Sequence, residues 1–368
     1  MNNLYREMID LLRQGECFAV ATVFDKSGSA PRTEGAKMIV RADGSTAGTI
    51  GGGRLEASAI DLARKIILGR RTVIQSFDLT SEDASGSDMI CGGSGEILID
   101  FIDSGDEQSL QIYEAAADIM ESAKKGWLIT ILGEAAKDSG VERQQCLVMP
   151  DGTLVGKVDC DPYLLEKLTA GPAKITLHAE AFGKQRFLVE PLRSGGTVYI
   201  FGAGHVSQKI APLSEGVGFK TVVLDDRADY ANRNRFPQPI EIMVIDSFKA
   251  LPKLAIDDDS YLVIVSRGHL YDKDILEQVL RTKAAYIGMI GSRRKRDLVY
   301  EEIVSHGFSR EELDGVHAPI GTNIGAETPE ELGISIVGDL IQARAEKYAS
   351  RNQETGLVAK PCCEILPM

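Results

Sequence analysis

The chain has 368 residues, of which 43% are apolar and 26% are charged, a composition typical of soluble globular proteins. Its net charge of −13 at pH 7 argues against nonspecific binding to nucleic acid or to an anionic membrane surface. The length exceeds the roughly 250–300 residues at which single hydrophobic cores stop growing, so we expect two domains.

The start of the chain and its cysteines indicate a cytoplasmic protein. The first residues begin an amphipathic helix rather than a signal peptide, and no apolar stretch is long enough to span a bilayer. The six cysteines include no C-x-x-C pair, which argues against a disulfide framework and a structural zinc site. They are Cys17, Cys91, Cys146, Cys160, Cys362 and Cys363.

The first half of the chain mixes predicted helices with predicted strands. Helical periodicity covers 4–12, 55–67 and 110–123, and strand-like runs cover 17–23, 36–41, 73–79 and 96–102. Four more strand-like runs and a short helix near Tyr163 follow. We find no internal repeat here. Residues 107–192 either complete the first domain or bridge it to the second, and we assign them to a first domain at 1–192.

From residue 197 onward, predicted strands and helices alternate regularly. The strands lie at 197–201, 220–225, 241–245, 260–266 and 285–290, and a long helix at 328–348 closes the series. Alternation of continuous apolar strands with helices predicts a parallel, doubly wound sheet. The expected fold class is therefore α/β, with a mixed α/β domain first, a Rossmann-like domain at 193–348 and a tail at 349–368.

A glycine turn marks the first strand of that sheet as a binding element. Gly202 and Gly204 separate the strand from the next helix, and Asp225 ends the following strand 225 − 202 = 23 residues later, near the usual spacing of about 20. Ser207 stands where a third glycine is common. This order favours a nucleotide or a related phosphate-bearing cofactor, held by backbone N–H groups at the start of the helix.

Polar side chains follow the same edge of the predicted sheet. His205 comes after the first strand, Arg267 and His269 come after the fourth, and Arg293 and Arg294 come after the fifth. Arginine pairs with phosphate through two parallel hydrogen bonds, which suits a phosphate-bearing ligand. The alternatives are that His269 only caps a turn and that the two later arginines form a solvated face.

The first domain offers two candidate sites. Cys91 precedes two glycines in a polar loop, where a thiolate could ligate a soft metal, although an inert buried thiol is the alternative. The run Gly51, Gly52, Gly53 and Arg54 opens a helix and could bind an anion, although a tight turn alone would explain the glycines. The tail pair at 362–363 has no assignable role.

With these motifs in view, the chain resembles the XdhC/CoxI family of maturation proteins for molybdenum hydroxylases such as xanthine dehydrogenase. The similar segments occur in the family's order along nearly the whole chain: 28–32, 51–56, 91–93, 201–206, 225–227, 267–272, 291–295 and 319–331. Ser207 and Asn323 depart from the usual pattern, and the second change weakens any carboxylate role at that position.

The resemblance implies a chaperone that binds the molybdenum cofactor while a cysteine desulfurase supplies its terminal sulfido ligand. The chaperone then delivers the cofactor to apo-xanthine dehydrogenase or a related hydroxylase, without turnover of its own and without catalytic residues. We expect a homodimer. The residues expected to contact the cofactor are Cys91, also as a metal ligand, Gly52, Gly53, Arg54, Gly202, Gly204, His205, Asp225, Arg267, His269, Arg293 and Arg294.

Two other functions remain open from the sequence. The glycine turn and the acid fit an NAD-dependent oxidoreductase or an accessory subunit of xanthine dehydrogenase, although no hydride-transfer constellation and no iron–sulfur cysteine cluster accompany them. A Rossmann-like shell that has lost its ligand and only scaffolds partners is the third reading.

Overall fold

The computed structural model describes residues 4–28, 34–78, 93–122, 124–136, 140–170, 175–178, 185–193 and 195–354. The chain divides near residue 194 into two compact units, which we call the amino-terminal unit and the carboxyl-terminal unit. Among the described residues, no helix is both long and apolar enough to cross a membrane.

The amino-terminal unit begins with seven elements built around an antiparallel sheet. They are α1 (Leu4–Arg13), β1 (Phe18–Gly28), β2 (Lys37–Arg41), β3 (Thr46–Gly48), α2 (Gly53–Gly69), β4 (Val73–Asp78) and β5 (Gly93–Ile102). The strand order is β3-β2-β1-β5-β4. Alternate residues of β1 lie in two cores, because successive side chains of a strand point to opposite faces of the sheet.

The rest of the unit repeats the same order of elements. They are α3 (Glu107–Glu121), β6 (Lys125–Ala136), β7 (Gly140–Val148), β8 (Leu154–Val155), α4 (Pro162–Thr169), β9 (Thr176–His178) and β10 (Arg186–Arg193). The second sheet has the order β8-β7-β6-β10-β9, so it matches the first sheet strand for strand. We call α1–β5 the first repeat and α3–β10 the second repeat.

Individual residues confirm that the two repeats correspond. Tyr113 lies 113 − 5 = 108 residues after Tyr5, and Gly156 lies 156 − 48 = 108 residues after Gly48. Both glycines have positive φ, at 80° and 93°. Our expectation of no internal repeat was therefore wrong. Few side chains are identical between the halves, so the repeat is carried by topology and register rather than by sequence.

Two polar clusters lie between the sheets of the repeats. In one, Lys37 Nζ lies 2.7 Å from Glu190 Oε2. In the other, Arg143 Nε lies 2.9 Å from Asp100 Oδ2, and its Nη2 donates to Gln145 Oε1 at 2.7 Å. The carboxylates occupy equivalent places, since Val20 pairs with Asp100 and its counterpart Leu128 pairs with Glu190. Each ion pair therefore joins one repeat to the other.

The carboxyl-terminal unit contains a parallel sheet, as the sequence predicts, and the sheet has six strands. Its strands are β11 (Thr197–Phe201), β12 (Lys220–Asp225), β13 (Glu241–Val244), β14 (Ser260–Ile264), β15 (Tyr286–Met289) and β16 (Val316–His317). The order is β13-β12-β11-β14-β15-β16, the order of a Rossmann fold, in which the first and fourth strands are neighbours. The α/β fold class is confirmed, and β16 is an addition to the five expected strands.

Helices cover both faces of this sheet. They are α5 (His205–Gly216), α6 (His269–Val279), α7 (Arg293–Ser305), α8 (Arg310–Leu313) and α9 (Pro329–Glu354). All five residues of β11 are buried, with Val198 and Ile200 in one core and Tyr199 and Phe201 in the other. Burial on both faces explains why these strands read as continuous apolar runs.

Candidate functional site

The glycine turn after β11 approaches the neighbouring strand closely. Gly202 has φ 113°, and a Cβ there would lie 2.6 Å from the carbonyl oxygen of Val265, just past β14. Only glycine fits this position without displacing backbone. Ser207, which replaces the third glycine, is buried and donates a hydrogen bond of 2.5 Å to the Gly202 carbonyl oxygen. The serine therefore fastens α5 to the turn.

Gly204 differs from Gly202 because its surroundings are open. It is the N-cap residue of α5, and no side chain of its own caps the helix. A Cβ on Gly204 would meet no heavy atom within 4 Å, and the same holds for Gly268, the N-cap of α6. Both helices begin at the carboxyl edge of the parallel strands. We call this edge the mouth of the sheet, and two glycine-capped helix starts leave space there for an anionic ligand.

Asp225, the expected ribose ligand, is engaged inside the protein. It is 1% exposed and accepts hydrogen bonds from Ala203 N at 2.7 Å and from Arg227 N, Nε and Nη2 at 2.8 to 3.0 Å. Burial raises its pKa, but these hydrogen bonds outweigh burial and hold the pKa below its usual range. Asp225 thus ties the glycine turn to the end of β12.

Asp226 is the acid of the pair that faces the mouth. Its Oδ2 accepts from Arg267 Nη2 at 2.9 Å, whereas its buried Oδ1 accepts no hydrogen bond in the described part of the chain. Arg267 also stacks on Tyr271, with its guanidinium carbon 4.7 Å from the ring centroid. Of this acidic pair, we expected only Asp225 to contact the cofactor, so Asp226 is an addition to the expected residues.

A buried ion pair joins the starts of α6 and α7. Asp272 is fully buried, and its carboxylate accepts from Ser266 Oγ at 2.5 Å and from Lys295 Nζ. Burial raises the pKa of Asp272, and the hydrogen bonds from Lys295 and Ser266 oppose that rise. The ion pair fixes the positions of the first turns of α6 and α7 relative to each other at the mouth.

The remaining expected residues of this unit line the same edge. Arg293 and Arg294 are exposed in the first turn of α7, and neither has an ion-pair or hydrogen-bond partner among the described residues. His205 is exposed as the first residue of α5. His269 begins α6, and its side chain lies outside what the structure describes.

A tyrosine stacked against two arginines, which the sequence did not reveal, flanks the glycine turn. Tyr230 is 37% exposed and lies under two guanidinium groups, Arg227 at 3.7 Å and Arg235 at 5.0 Å from the ring centroid. Arg235 Nη2 also donates to the carbonyl oxygen of Ala203 at 3.1 Å. Arg235 therefore adds a guanidinium group beside the glycine turn, whereas the charge of Arg227 is balanced by Asp225.

The final loop of this unit starts from a pair formed by the exposed His317 and the largely buried Asp339. His317 Nδ1 lies 3.2 Å from Asp339 Oδ2, which also accepts from Tyr286 at 2.6 Å and from the Gly321 N–H at 3.2 Å. The hydrogen bond to Asp339 raises the pKa of His317, and partial burial opposes it. The dyad anchors the loop on α9.

The glycine run in the first repeat already holds a carboxylate. Glu56 Oε1 accepts from the N–H groups of Ile50, Gly51 and Gly52 at 3.0, 3.2 and 2.8 Å, and from the hydroxyl of Thr49. Burial raises the pKa of Glu56, but these bonds outweigh burial and lower it. We call this arrangement the Glu56 nest. An external anion at Gly52 or Gly53 would have to displace Glu56, while Arg54 is exposed beside it.

Several predicted sites fall beyond the part of the chain that the structure describes. They are Cys91, the pair Cys362 and Cys363, and residues 29–32 of the similar segments. Within the described ranges, no three His, Cys, Asp or Glu residues cluster closely enough to hold a metal ion. The cavity between the polar clusters of the amino-terminal unit has a volume of about 20 Å³, which suits a water molecule rather than a cofactor.

Comparison with protein families gives two matches along the chain. Residues 198–340 match the XdhC Rossmann domain, and residues 11–78 match the XdhC and CoxI family. The two matches fall in the carboxyl-terminal unit and in the first repeat, respectively.

Individual relatives extend over most of the chain. It is 25% identical to a protein of Bacillus subtilis described as a probable xanthine dehydrogenase subunit, over 94% of this chain and 98% of the relative. It is 22% identical to the molybdenum cofactor insertion chaperone PaoD of Escherichia coli, over 93% and 88%. YqeB of Escherichia coli, an uncharacterized protein, is 26% identical over 98% of this chain, which spans only 48% of YqeB.

A solved structure described as a xanthine dehydrogenase from Bacillus halodurans shares the fold. Its TM-score is 0.76 at 25% sequence identity, and the match covers 98% of both chains.

Proposed function

Because the chain belongs to the XdhC and CoxI family, we propose that it binds the molybdenum cofactor as cargo and inserts it into a molybdenum hydroxylase of the xanthine dehydrogenase type. The observation that carries this proposal is the open space at Gly204, the uncapped start of α5. A phosphate group accepts hydrogen bonds from backbone N–H groups at such a helix start, where the helix dipole also favours negative charge.

The side chains of the mouth support the same assignment. Arg293 and Arg294 are exposed without partners among the described residues, so they can pair with ligand oxygens at little cost. The buried Oδ1 of Asp226 accepts no hydrogen bond there, and a hydroxyl or amino group of the cargo would satisfy it. Together these groups suit a ligand that carries both a phosphate and polar donors.

The protein also holds the cofactor while its metal centre is completed. A cysteine desulfurase supplies the terminal sulfido ligand while the protein holds the cofactor, and the protein itself turns over no substrate. Cys91 is the proposed metal ligand, since a thiolate is a soft ligand. We further propose a cytoplasmic homodimer.

An NAD-dependent oxidoreductase is the competing function, because the strand order and the glycine turn are those of dinucleotide-binding sheets. Against it, Asp225 is occupied by Arg227 and Ala203, so it has no free oxygen for a ribose. Titration calorimetry with NAD separates the two. Tight binding of NAD, with its reduction to NADH when a purine is oxidised, would reject the chaperone in favour of the enzyme.

The direct test measures the cargo. Protein purified from a cofactor-competent host should contain molybdenum and pterin in equal amounts, and it should activate apo-xanthine dehydrogenase. A Gly204→Leu variant should keep its fold, because a Cβ there meets nothing within 4 Å, but it should lose the bound pterin.

The matched control is Gly216→Leu at the other end of α5, where a Cβ also meets nothing within 4 Å. This variant should retain the cargo. Wild-type protein without pterin, or equal loss in both variants, would contradict the proposal.

A further inference from the structure

The hydrogen bond between Asp226 and Arg267 connects two strands that are not neighbours in the sheet. Strand β11 lies between β12 and β14, since Phe201 is aligned with Leu224 on one side and with Ile264 on the other. Asp226 follows β12 and Arg267 follows β14. Because adjacent strands are about 4.8 Å apart, these two strand ends are separated by roughly 10 Å. The contact of 2.9 Å between Asp226 Oδ2 and Arg267 Nη2 therefore crosses the end of β11, where the glycine turn begins.

Arg267 is also held from a second direction. Its Nη2 donates to the hydroxyl of Tyr271 at 2.9 Å, and its guanidinium stacks on the Tyr271 ring. The edge of Tyr271 packs against Phe248, with ring centroids 5.7 Å apart, and Phe248 is buried. Tyr271 therefore holds the guanidinium beside Gly268, the open start of α6, independently of Asp226.

These two acceptors take both hydrogens of Arg267 Nη2. A guanidinium offers two parallel pairs of donors, Nε with Nη2 and Nη1 with Nη2, and a phosphate binds arginine most tightly through such a pair. Each pair includes Nη2, so an anion cannot accept two parallel hydrogen bonds from Arg267 while Asp226 and Tyr271 both stay bound. Asp226 is the acceptor that leaves, because two anions at one guanidinium repel each other, whereas the tyrosine hydroxyl is uncharged.

A second arginine stands ready for Asp226 when Arg267 leaves. Asp226 Oδ1 lies 3.8 Å from Arg227 Nε. Arg227 is itself held in place by Asp225, at 2.8 and 3.0 Å. A largely buried carboxylate that lost its cation altogether would be strongly destabilised, and the position of Arg227 avoids this cost.

We propose that Asp226 competes with the anionic group of the cargo for Arg267. Binding of the cargo moves Nη2 of Arg267 from the carboxylate to a phosphate oxygen, and Asp226 takes Arg267 back when the cargo leaves. An internal competitor lowers the apparent affinity without removing a binding group, which suits a protein that must hand its cargo on. The inference rests on the proposed function for the identity of the cargo, whereas the competition applies to any phosphate group at the starts of α5 and α6.

Titration calorimetry of the full chain with pyrophosphate tests the competition. Asp226→Ala should bind pyrophosphate roughly 10-fold more tightly than the wild type, the size expected for one hydrogen bond between charged groups. Asp226→Asn keeps the shape of the side chain without its charge and should show a smaller gain. Asp229→Asn is the matched control, because Asp229 is an exposed acid three residues further along, and it should change the affinity little.

A double-variant cycle separates competition from a general effect of charge. Arg267→Gln should weaken the binding of pyrophosphate, and adding Asp226→Ala to that variant should not produce the gain seen in the wild-type background. If Asp226→Ala tightens binding equally with and without Arg267, the competition is refuted. It is refuted as well if neither the wild type nor Asp226→Ala binds pyrophosphate.

Transfer to apo-xanthine dehydrogenase tests the role of Asp226 in release. The Asp226→Ala protein, loaded with cofactor, should activate the apo-enzyme roughly 10-fold more slowly than the wild type, because tighter binding appears mainly as slower dissociation. Equal rates would reject a role in release. A wild type without bound pterin would contradict the proposed function, while the pyrophosphate titrations would still decide whether Asp226 competes for Arg267.

Discussion

In the first repeat Lys37 pairs directly with a carboxylate of the other half, whereas in the second repeat Gln145 holds that position and Arg143 supplies the charge from two residues away. The glycine turns at Gly48 and Gly156 correspond even more closely in their surroundings. A Cβ on Gly48 would meet Lys37 O and Leu4, and a Cβ on Gly156 would meet their counterparts, Gln145 O and Ile112. The ion pair and the glycine turn occur in both repeats, with the same or a substituted residue, so we infer that the fold requires them.

The features that differ between the two repeats indicate function rather than folding. In the described parts of the two repeats, the Glu56 nest occurs in the first alone, and the corresponding helix α4 of the second begins with Asp161 as its N-cap and Pro162. The connection between β4 and β5 has 14 residues (79–92) and contains Cys91, whereas the one between β9 and β10 has seven (179–185). Features that one half lacks are not needed to build the fold, so they are the better candidates for function.

The largest expected effect comes from making the first repeat resemble the second at the ion pair. Lys37→Gln leaves Glu190, 15% exposed, without its cation, and should lower the free energy of unfolding by about 3–5 kcal/mol. Denaturant titration of the full chain measures this. Adding Glu190→Gln should restore most of the loss. If the single variant is as stable as the wild type, the pair does not join the repeats.

The next effect tests the equivalence of the turns. Gly48→Ala and Gly156→Ala should each cost about 1–3 kcal/mol, because φ is positive and the new Cβ would lie 2.5 or 2.8 Å from its nearest neighbour. Gly15→Ala is the control, since it has φ 77° and an open surrounding. Unfolding should show similar losses for the two variants and a smaller one for the control; unequal losses would break the correspondence.

The smallest effect concerns the feature that only the first repeat has. Glu56→Ala removes the acceptor of three backbone N–H groups and should cost about 1 kcal/mol at pH 7. Because the folded pKa of Glu56 is lowered, wild type should lose this advantage as pH falls below the ordinary glutamate pKa of about 4.3. Melting curves from pH 7 to pH 3 measure it.

Glu107→Ala in the first turn of α3 is the control for that experiment. It removes a first-turn acid from another helix of the same unit without emptying a nest. A Glu56→Ala penalty that stays constant down to pH 3 would mean that the carboxylate charge does not stabilise the glycine run.

The fold of the carboxyl-terminal unit could be predicted from the sequence because its strands are buried on both faces. Each reads as a continuous apolar run between helices, and Gly202 marks the first of them. The two-residue strand β16 escaped prediction because it is too short to show a period. The repeat escaped as well, since it is preserved at positions such as Tyr5 and Tyr113 rather than in runs of identity.

The location of the site could be predicted from the sequence, but the hydrogen bonds among its residues could not. The mouth lies where β11 and β14 end, as strand order requires, yet the sequence could not tell which acid of the pair at 225–226 is buried. It also could not show that Glu56 folds back onto the glycine run four to six residues earlier. Such local hydrogen bonds depend on side-chain rotamers, which a residue pattern does not specify.

The short connection between the repeats has a consequence for how the amino-terminal unit assembles. Only residues 103–106 separate β5 from α3, so each half meets the other at an effective concentration far above that of any second molecule. If the two repeats were separate chains, each could pair with a repeat of another molecule. Here the four-residue connection favours pairing of the two repeats within one chain over exchange between chains. The unit thus behaves as a dimer that dilution cannot dissociate.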